Sequence, residues 1–153
     1  MKKPQSHRLR AGRISGPNQI YLLTTVCNYR EPLFSNITLG RIVVRSLHHH
    51  HEHGYVSSLA FVVMPAHLHW LVRLSPGIAL PHLMKSVKSY TAREINHHCN
   101  TQGKRSWQPG FHDHALRHEE ELLHTARYIV ANPLRARLVR RLGDYPLWDA
   151  VWL

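Results

Sequence analysis

The chain alternates between short apolar runs and longer segments whose apolar residues recur every three or four positions. Runs such as Ile20–Val26 are rich in β-branched residues and lie between turn-forming residues, which is typical of strands. Segments such as residues 36–53 carry apolar residues at helical spacing and stop at a glycine. The pattern predicts strands at 20–26, 56–63, 67–74 and 111–117, and helices at 36–53, 80–96 and 118–131.

The order of these elements is strand, helix, strand, strand, helix, strand, helix. Only Met64-Pro65-Ala66 separates the two central strands, so we expect an antiparallel hairpin there. This order is that of a ferredoxin-like α+β sandwich, in which a small antiparallel sheet has helices packed on one face. Residues 1–18 are polar and basic, and we interpret them as an N-terminal arm that precedes a single domain at 19–153.

The charge balance points to a polyanionic partner. The 153 residues include 20 Lys+Arg and 9 Asp+Glu, which gives a formal net charge of +11, and 43% of the residues are hydrophobic. A basic folded domain of this kind favours nucleic acid as its partner, although a solvated basic surface gives the same count. No apolar segment is long enough to span a bilayer, so we expect a cytoplasmic protein without a membrane partner. Its two cysteines make neither a disulfide framework nor a zinc site.

Two histidines flank a leucine at the start of the second hairpin strand. Side chains alternate along a strand, so His67 and His69 share one face while Leu68 points into the core. Two imidazoles on one face can bind one metal ion and leave coordination positions open for substrate. A pair of surface imidazoles has the same spacing, and His112-Asp113-His114 repeats it, so the motif alone leaves both interpretations open.

The second predicted helix carries another pair of candidate residues. Tyr90 and Glu94 are four residues apart, so they lie on one helical face, and Lys88 and Arg93 flank them. A tyrosine at such a position is usually a packing residue, and a glutamate is usually a solvated carboxylate. The alternative is that Tyr90 is a nucleophile and Glu94 a metal ligand.

Four motifs in a fixed order resemble those of one family. They are Met64-Pro65-Ala66-His67-Leu68-His69, the helix segment Lys88–Asn96, the stretch Trp107–His114, and Arg127-Tyr128-Ile129 with Asn132-Pro133 and Leu138-Val139. From about Arg13 to its end, the chain resembles the REP-associated tyrosine transposases. These are single-tyrosine members of the IS200-like branch of the HUH endonucleases.

The resemblance implies a chemistry and a set of residues. The expected activity is that of a metal-dependent endonuclease and strand transferase that cleaves and rejoins single-stranded DNA near palindromic hairpins, through a 5′-phosphotyrosine. By this resemblance His67 and His69 bind the metal and Tyr90 is the nucleophile. A polar side chain four residues after the tyrosine completes the metal site in related transposases, and that position is Glu94 here. Family members often have asparagine where this chain has Ala66. We expect Mg²⁺ or Mn²⁺ as the metal.

Lysines and arginines near these motifs are candidates for DNA contacts. The expected set is Arg8, Arg10, Arg13, Lys85, Lys88 and Arg93. Trp70, Trp107 and Phe111 are candidates to stack on unpaired bases, whereas for Trp148 and Trp152 a position in the core fits at least as well.

Two other functions fit parts of the sequence. A protein that kept the fold but lost the chemistry would bind hairpin DNA as a repressor does. The tract His48-His49-His50-His51-Glu52-His53 suggests a metal-handling protein. The transposase hypothesis explains more of the motifs, and for it we expect a monomer, with a dimer as the alternative.

Overall fold

The structure, a computed structural model, describes residues 19–151. Its sheet consists of five antiparallel strands, which are β1 Ile20–Val26, β2 Val56–Met64, β3 His67–Leu74, β4 His112–Leu116 and β5 Trp148–Ala150. Its helices are α1 Ile37–Glu52, α2 Leu80–Cys99, α3 Glu119–Val130 and the four-residue α4 Asn132–Arg135. The arm at 1–18, with Arg8, Arg10 and Arg13, lies outside the described residues.

The strand order is β4-β1-β3-β2-β5, and every neighbouring pair is antiparallel. The first four strands with α1 and α2 form the predicted ferredoxin-like α+β arrangement, which is confirmed. Each predicted strand and helix is present within a few residues of its predicted bounds. The elements of residues 19–151 that were not predicted are α4, β5 and three single-turn 3-10 helices, because three or four residues are too short to show a period.

Both faces of the sheet are covered. Helices α1 and α2 pack on one face through a cluster that includes Val43, Trp70 and Val87. Helix α3 packs on the other face, where Ile129 joins Leu71 in a second cluster. We refer to these as the α1–α2 face and the α3 face. The expectation of helices on one face holds for α1 and α2, whereas α3 lies opposite.

The central strands show why a second covered face is needed. Val62 and Val63 are both fully buried, and so are Leu71 and Val72. Adjacent residues of a strand point to opposite faces, so continuous burial requires a covering layer on each side. This continuous apolar pattern in the two central strands is what holds α3 in place. No helix within residues 19–151 is long and apolar enough to cross a membrane.

Candidate active site

The two histidines of the H-x-H motif lie side by side at the start of β3. The centroids of the His67 and His69 rings are 4.8 Å apart, and the ring planes are 76° apart. Both side chains point to the same face of the sheet as Leu71, because these residues are two positions apart along β3. Leu71 belongs to the cluster beneath α3. The predicted common face is therefore correct, and it is the α3 face.

A threonine of the neighbouring strand orients one of these rings. Thr24 of β1 is directly opposite His69 of β3. Its Oγ1 is 2.9 Å from His69 Nδ1. With Nδ1 engaged in this hydrogen bond, Nε2 is the ring nitrogen left for a ligand.

The surroundings keep both imidazoles neutral. Burial lowers the pKa of His69 to about 4, and the nearby His67 and Arg135 add to the effect. Burial also lowers the pKa of His67, with a further contribution from the charge of Arg30. Only the neutral ring has a lone pair to give to a metal ion, so both side chains are in the ligating form near pH 7.

A tyrosine, an asparagine and an arginine line the end of α3 and the start of α4. Tyr128, Asn132 and Arg135 are spaced four and three residues apart. Ala131, which joins the two helices, keeps helical dihedrals (φ −81°, ψ −3°), so the helical direction continues. These three side chains therefore share one side of the segment.

Arg135 links this group to the histidines. Its Cζ lies 3.9 Å from the centroid of the Tyr128 ring. Its Nη2 donates to Asn132 Oδ1 at 2.9 Å. Its charge also contributes to the lowered pKa of His69. The Tyr128 side chain is 59% exposed, so its hydroxyl is accessible to a large substrate.

The tyrosine expected at the site lies elsewhere. Tyr90 and Glu94 are on α2, which packs on the α1–α2 face, because Val87 and Ile95 are the residues of α2 that join that core. Tyr90 lines a cleft of about 510 Å³ between α1 and α2. The sheet thus separates α2 from the two imidazoles.

The expected metal set is not assembled either. No three His, Cys, Asp or Glu side chains in the described part of the chain come together as metal ligands. The set of His67, His69 and Glu94 is therefore corrected, because Glu94 is held on the opposite side of the sheet. The side chain of Asn132, which has an amide oxygen, lies on the α3 side instead.

The basic residues expected near the nucleophile also lie on α2. Arg93 borders the cleft with Tyr90, and its Cζ is 6.0 Å from the Tyr90 ring centroid. Lys85 is exposed on the same helix. Lys88 Nζ donates to the carbonyl oxygens of Gln108 and Gly110 at 2.7 and 2.6 Å, and burial beside Arg105 lowers its pKa to about 8. Lys88 thus ties α2 to the segment before β4.

Two of the aromatic residues expected to stack on bases are core residues. Trp70 is fully buried and its Nε1 donates to Ser58 Oγ at 2.9 Å. Trp107 is also buried, and its Nε1 donates to Thr91 Oγ1 at 2.9 Å. The expectation fails for both, since neither ring is accessible. Phe111 is partly buried against the same core.

The histidine tract has structural contacts on several sides of α1. His50 is buried, and it bonds to the carbonyl oxygen of Ser46 and to Ser86 Oγ. His51 Nδ1 accepts from the backbone N–H of Ser58, and the His48 ring packs on Phe61. The tract forms no three-ligand metal cluster in residues 19–151.

The sequence did not single out Tyr128 as a candidate, although Arg127-Tyr128-Ile129 is among the motifs that carry the resemblance. The available signal was the spacing of Tyr128, Asn132 and Arg135 at the end of an amphipathic helix. Tyr90 with Glu94 has the same four-residue spacing, so spacing alone did not separate them.

This fold and site can be compared with known proteins. Residues 17–132 match the family described as "Transposase IS200 like", and the chain belongs to this family. A curated relative, the REP-associated tyrosine transposase of Escherichia coli K12, is 31% identical over 88 residues. That match covers 57% of this chain and 50% of the relative, so it spans half the relative's length.

Two solved structures are similar. One is a REP-associated tyrosine transposase bound to a REP hairpin, with a TM-score of 0.72, 24% identity, and coverage of 89% of this chain and 79% of that one. The other is a candidate transposase from Deinococcus radiodurans R1, with a TM-score of 0.55, 20% identity, and coverage of 77% and 93%. At these identities they establish the fold.

Proposed function

We propose that the protein cleaves and rejoins single-stranded DNA beside hairpins with Tyr128 as its nucleophile. The observation that carries this assignment is the position of Arg135. This one side chain contacts the Tyr128 ring and donates to Asn132 Oδ1, and it does so on the face of the sheet that bears His67 and His69. The tyrosine and the amide are thereby held by one guanidinium on the α3 face, where the two imidazoles also lie.

The residues fit a divalent metal ion. His67 and His69 provide neutral imidazole nitrogens, and Asn132 provides an amide oxygen. A mixed nitrogen and oxygen set suits Mn²⁺ and accommodates Mg²⁺. When bound, such an ion polarises the scissile phosphate and stabilises the charge that develops on it.

The chain's own residues account for the covalent step. The hydroxyl of Tyr128 loses its proton, and its oxygen forms a bond to phosphorus while the bond from phosphorus to the 3′ oxygen breaks. The 3′ oxygen takes up a proton and leaves as a hydroxyl, and the 5′ phosphate stays on the tyrosine. The reverse reaction, with another 3′ hydroxyl, rejoins the strand without an external energy source.

Arg135 stabilises this step in two ways. Its guanidinium lies over the Tyr128 ring in a cation–π contact, which holds the ring in position. Arginine also binds phosphate oxygens through its planar fork of N–H donors. The hydrogen bond from Arg135 to Asn132 holds the guanidinium in this position.

The proposed partner is hairpin DNA, and the proposed functional unit is a monomer. The E. coli relative is named a REP-associated tyrosine transposase, and the similar solved structure is bound to a REP hairpin. His67, His69, Tyr128 and Asn132 of one copy lie on the same face of its sheet, which supports a monomer.

The proposal is tested by covalent attachment. Labelled hairpin DNA with a single-stranded flank from the neighbouring genomic sequence is incubated with Mn²⁺ and with Mg²⁺ and run on a denaturing gel. We expect a DNA-linked protein band for the wild type and for Tyr90→Phe. We expect none for Tyr128→Phe or with chelator, while Tyr128→Phe still binds the DNA.

Each other outcome has a definite meaning. If Tyr90→Phe loses the band and Tyr128→Phe retains it, the nucleophile is Tyr90 on α2. Tight binding of the hairpin by the wild type without any covalent band would contradict the enzyme and favour a non-catalytic hairpin-binding protein.

A further inference from the structure

The turn that follows β1 has an unusual backbone. Tyr29 and Arg30 have φ values of 55° and 52°, so two consecutive residues with side chains are in the left-handed region. This conformation costs free energy that glycine would avoid. Such strain persists only where the surrounding structure imposes it, and it concentrates at functional positions.

The surrounding structure does impose it, because hydrogen bonds hold both ends of the turn. The backbone N–H of Asn28 donates to Ser106 O, and that of Arg30 donates to Cys27 O, at 2.8 and 2.9 Å. A few residues further on, the N–H of Phe34 donates to Pro65 O, and the buried Phe34 ring packs on Trp107. The turn is therefore a fixed platform.

This platform presents an aromatic ring to solvent. Tyr29 is 92% exposed, which is the largest exposure of any large hydrophobic side chain in residues 19–151. The backbone is thus strained at a residue whose side chain contributes almost nothing to the core. A function in binding explains this arrangement, whereas a packing role does not.

The platform lies beside the histidines of the active site. Val26, at the end of β1, is directly opposite His67. The N–H of Cys27 donates to the carbonyl oxygen of Ala66, the residue before His67. Tyr29 and Arg30 follow Cys27 by two and three residues, so the turn begins next to His67.

We propose that Tyr29 stacks on an unpaired base of the DNA strand at the active site and that Arg30 binds an adjacent phosphate. This rests on the proposed function, since it assumes that a single strand passes His67. An exposed ring on a rigid support is what base stacking requires, and stacking tolerates any base. The left-handed turn orients both side chains away from the core.

The test measures DNA binding in the presence of a chelator, so that it does not depend on catalysis. Fluorescence anisotropy compares a hairpin that has a single-stranded flank with the same hairpin without the flank. Tyr29→Ala should weaken binding of the flanked hairpin about tenfold, equal to about 1.4 kcal/mol, and leave binding of the unflanked hairpin unchanged. Tyr29→Phe should bind as the wild type does.

A glycine variant separates binding from stability. Tyr29→Gly removes the ring and relieves the left-handed strain, so its Tm should rise while its affinity for the flanked hairpin falls about tenfold. A purely structural role for Tyr29 predicts that both quantities fall together. Tyr55→Ala is the matched control, because Tyr55 is also exposed but precedes β2 at the end of that strand remote from His67.

Two results would overturn the proposal. One is wild-type affinity of Tyr29→Ala for the flanked hairpin. The other is an equal loss on both hairpins, which would indicate a contact with the duplex. Tyr128→Phe, measured in the same assay, should keep full affinity, so failure of the nucleophile assignment does not affect this result.

Discussion

The two faces of the sheet carry nearly the same local motif with different surroundings. On the α1–α2 face, Tyr90 is followed four residues later by Glu94, and on the α3 face, Tyr128 is followed four residues later by Asn132. Both tyrosines are on helices and partly exposed. Only Tyr128 shares its face with the imidazoles. The comparison teaches that helical spacing selects candidate pairs, while the face on which the helix packs decides which pair shares a face with the histidines.

Strand alternation is the cause of this division. His67 and His69 alternate with Leu68 and Trp70, so the histidines face α3 while the leucine and the tryptophan enter the α1–α2 core. A shift of one residue in the register of β3 would have placed the histidines beneath α2. The hairpin pairing of Met64 with His67 keeps that register.

The strongest contrast between the faces should come from the metal ligands. His69→Ala removes a proposed ligand, so we expect covalent product to fall by more than about 100-fold, beyond the loss typical of outer-shell partners. Glu94→Ala, on the other face, should leave product formation unchanged. Both are measured as initial rates of covalent attachment, with Mn²⁺ binding followed by titration calorimetry. An equal loss of covalent product in Glu94→Ala would show that Glu94 of α2 belongs to the metal site.

A smaller contrast comes from two adjacent threonines on β1. Thr24→Val removes the hydrogen bond to His69 Nδ1, so Mn²⁺ affinity should fall about 10- to 100-fold. Thr25 points to the α1–α2 face, and its buried Oγ1 has no hydrogen-bond partner within residues 19–151. Thr25→Val should therefore leave metal affinity unchanged and raise the free energy of unfolding by about 1 kcal/mol.

Calorimetry and urea unfolding measure the two quantities. A drop in Mn²⁺ affinity in Thr25→Val equal to that in Thr24→Val would show that the effect does not depend on the face of the strand.

The smallest expected effect is a pH dependence from the α1–α2 face. Burial lowers the pKa of His50 below its usual 6.5, so the unfolded chain binds the proton more readily than the folded one. The stability contributed by neutral His50 is complete above about pH 6.5 and is lost as the pH falls through the lowered pKa. Urea unfolding at pH 7.5 and 5.5 should show a smaller acid-induced loss in His50→Gln than in the wild type.

His67 and His69 contribute in the same direction, so a residual slope is expected in that variant. An unchanged slope in His50→Gln would contradict a role for His50.

Much of the fold could be predicted because its signals are local. The bounds of β1 and β3 match the predicted ones residue for residue, since both strands are rich in apolar and β-branched residues and lie between clear turn residues. The cap of α1 is equally local, because Asn36 Oδ1 accepts from the N–H groups of Thr38 and Leu39. By contrast, β5 depends on pairing with β2, which is remote in sequence.

The site could be predicted in part. The shared face of His67 and His69 follows from a period of two along a strand, which is a local property. The burial of Trp70 and Trp107 did not follow from composition, because a tryptophan serves equally well in a core or as a stacking platform. Nothing in the sequence marked Tyr29 as a candidate binding residue. Its left-handed backbone conformation is imposed by contacts with segments that are distant in sequence.

By itself, the sequence determined the longer elements, their order and the common face of His67 and His69, because periodicity and turn residues act over a few positions. Tertiary structure decided which tyrosine accompanies the histidines. Helix α3 covers the face of β3 that bears His67 and His69, and α2 covers the face that bears Trp70. That choice depends on burying both sides of the central strands at once, and no local spacing carries that information.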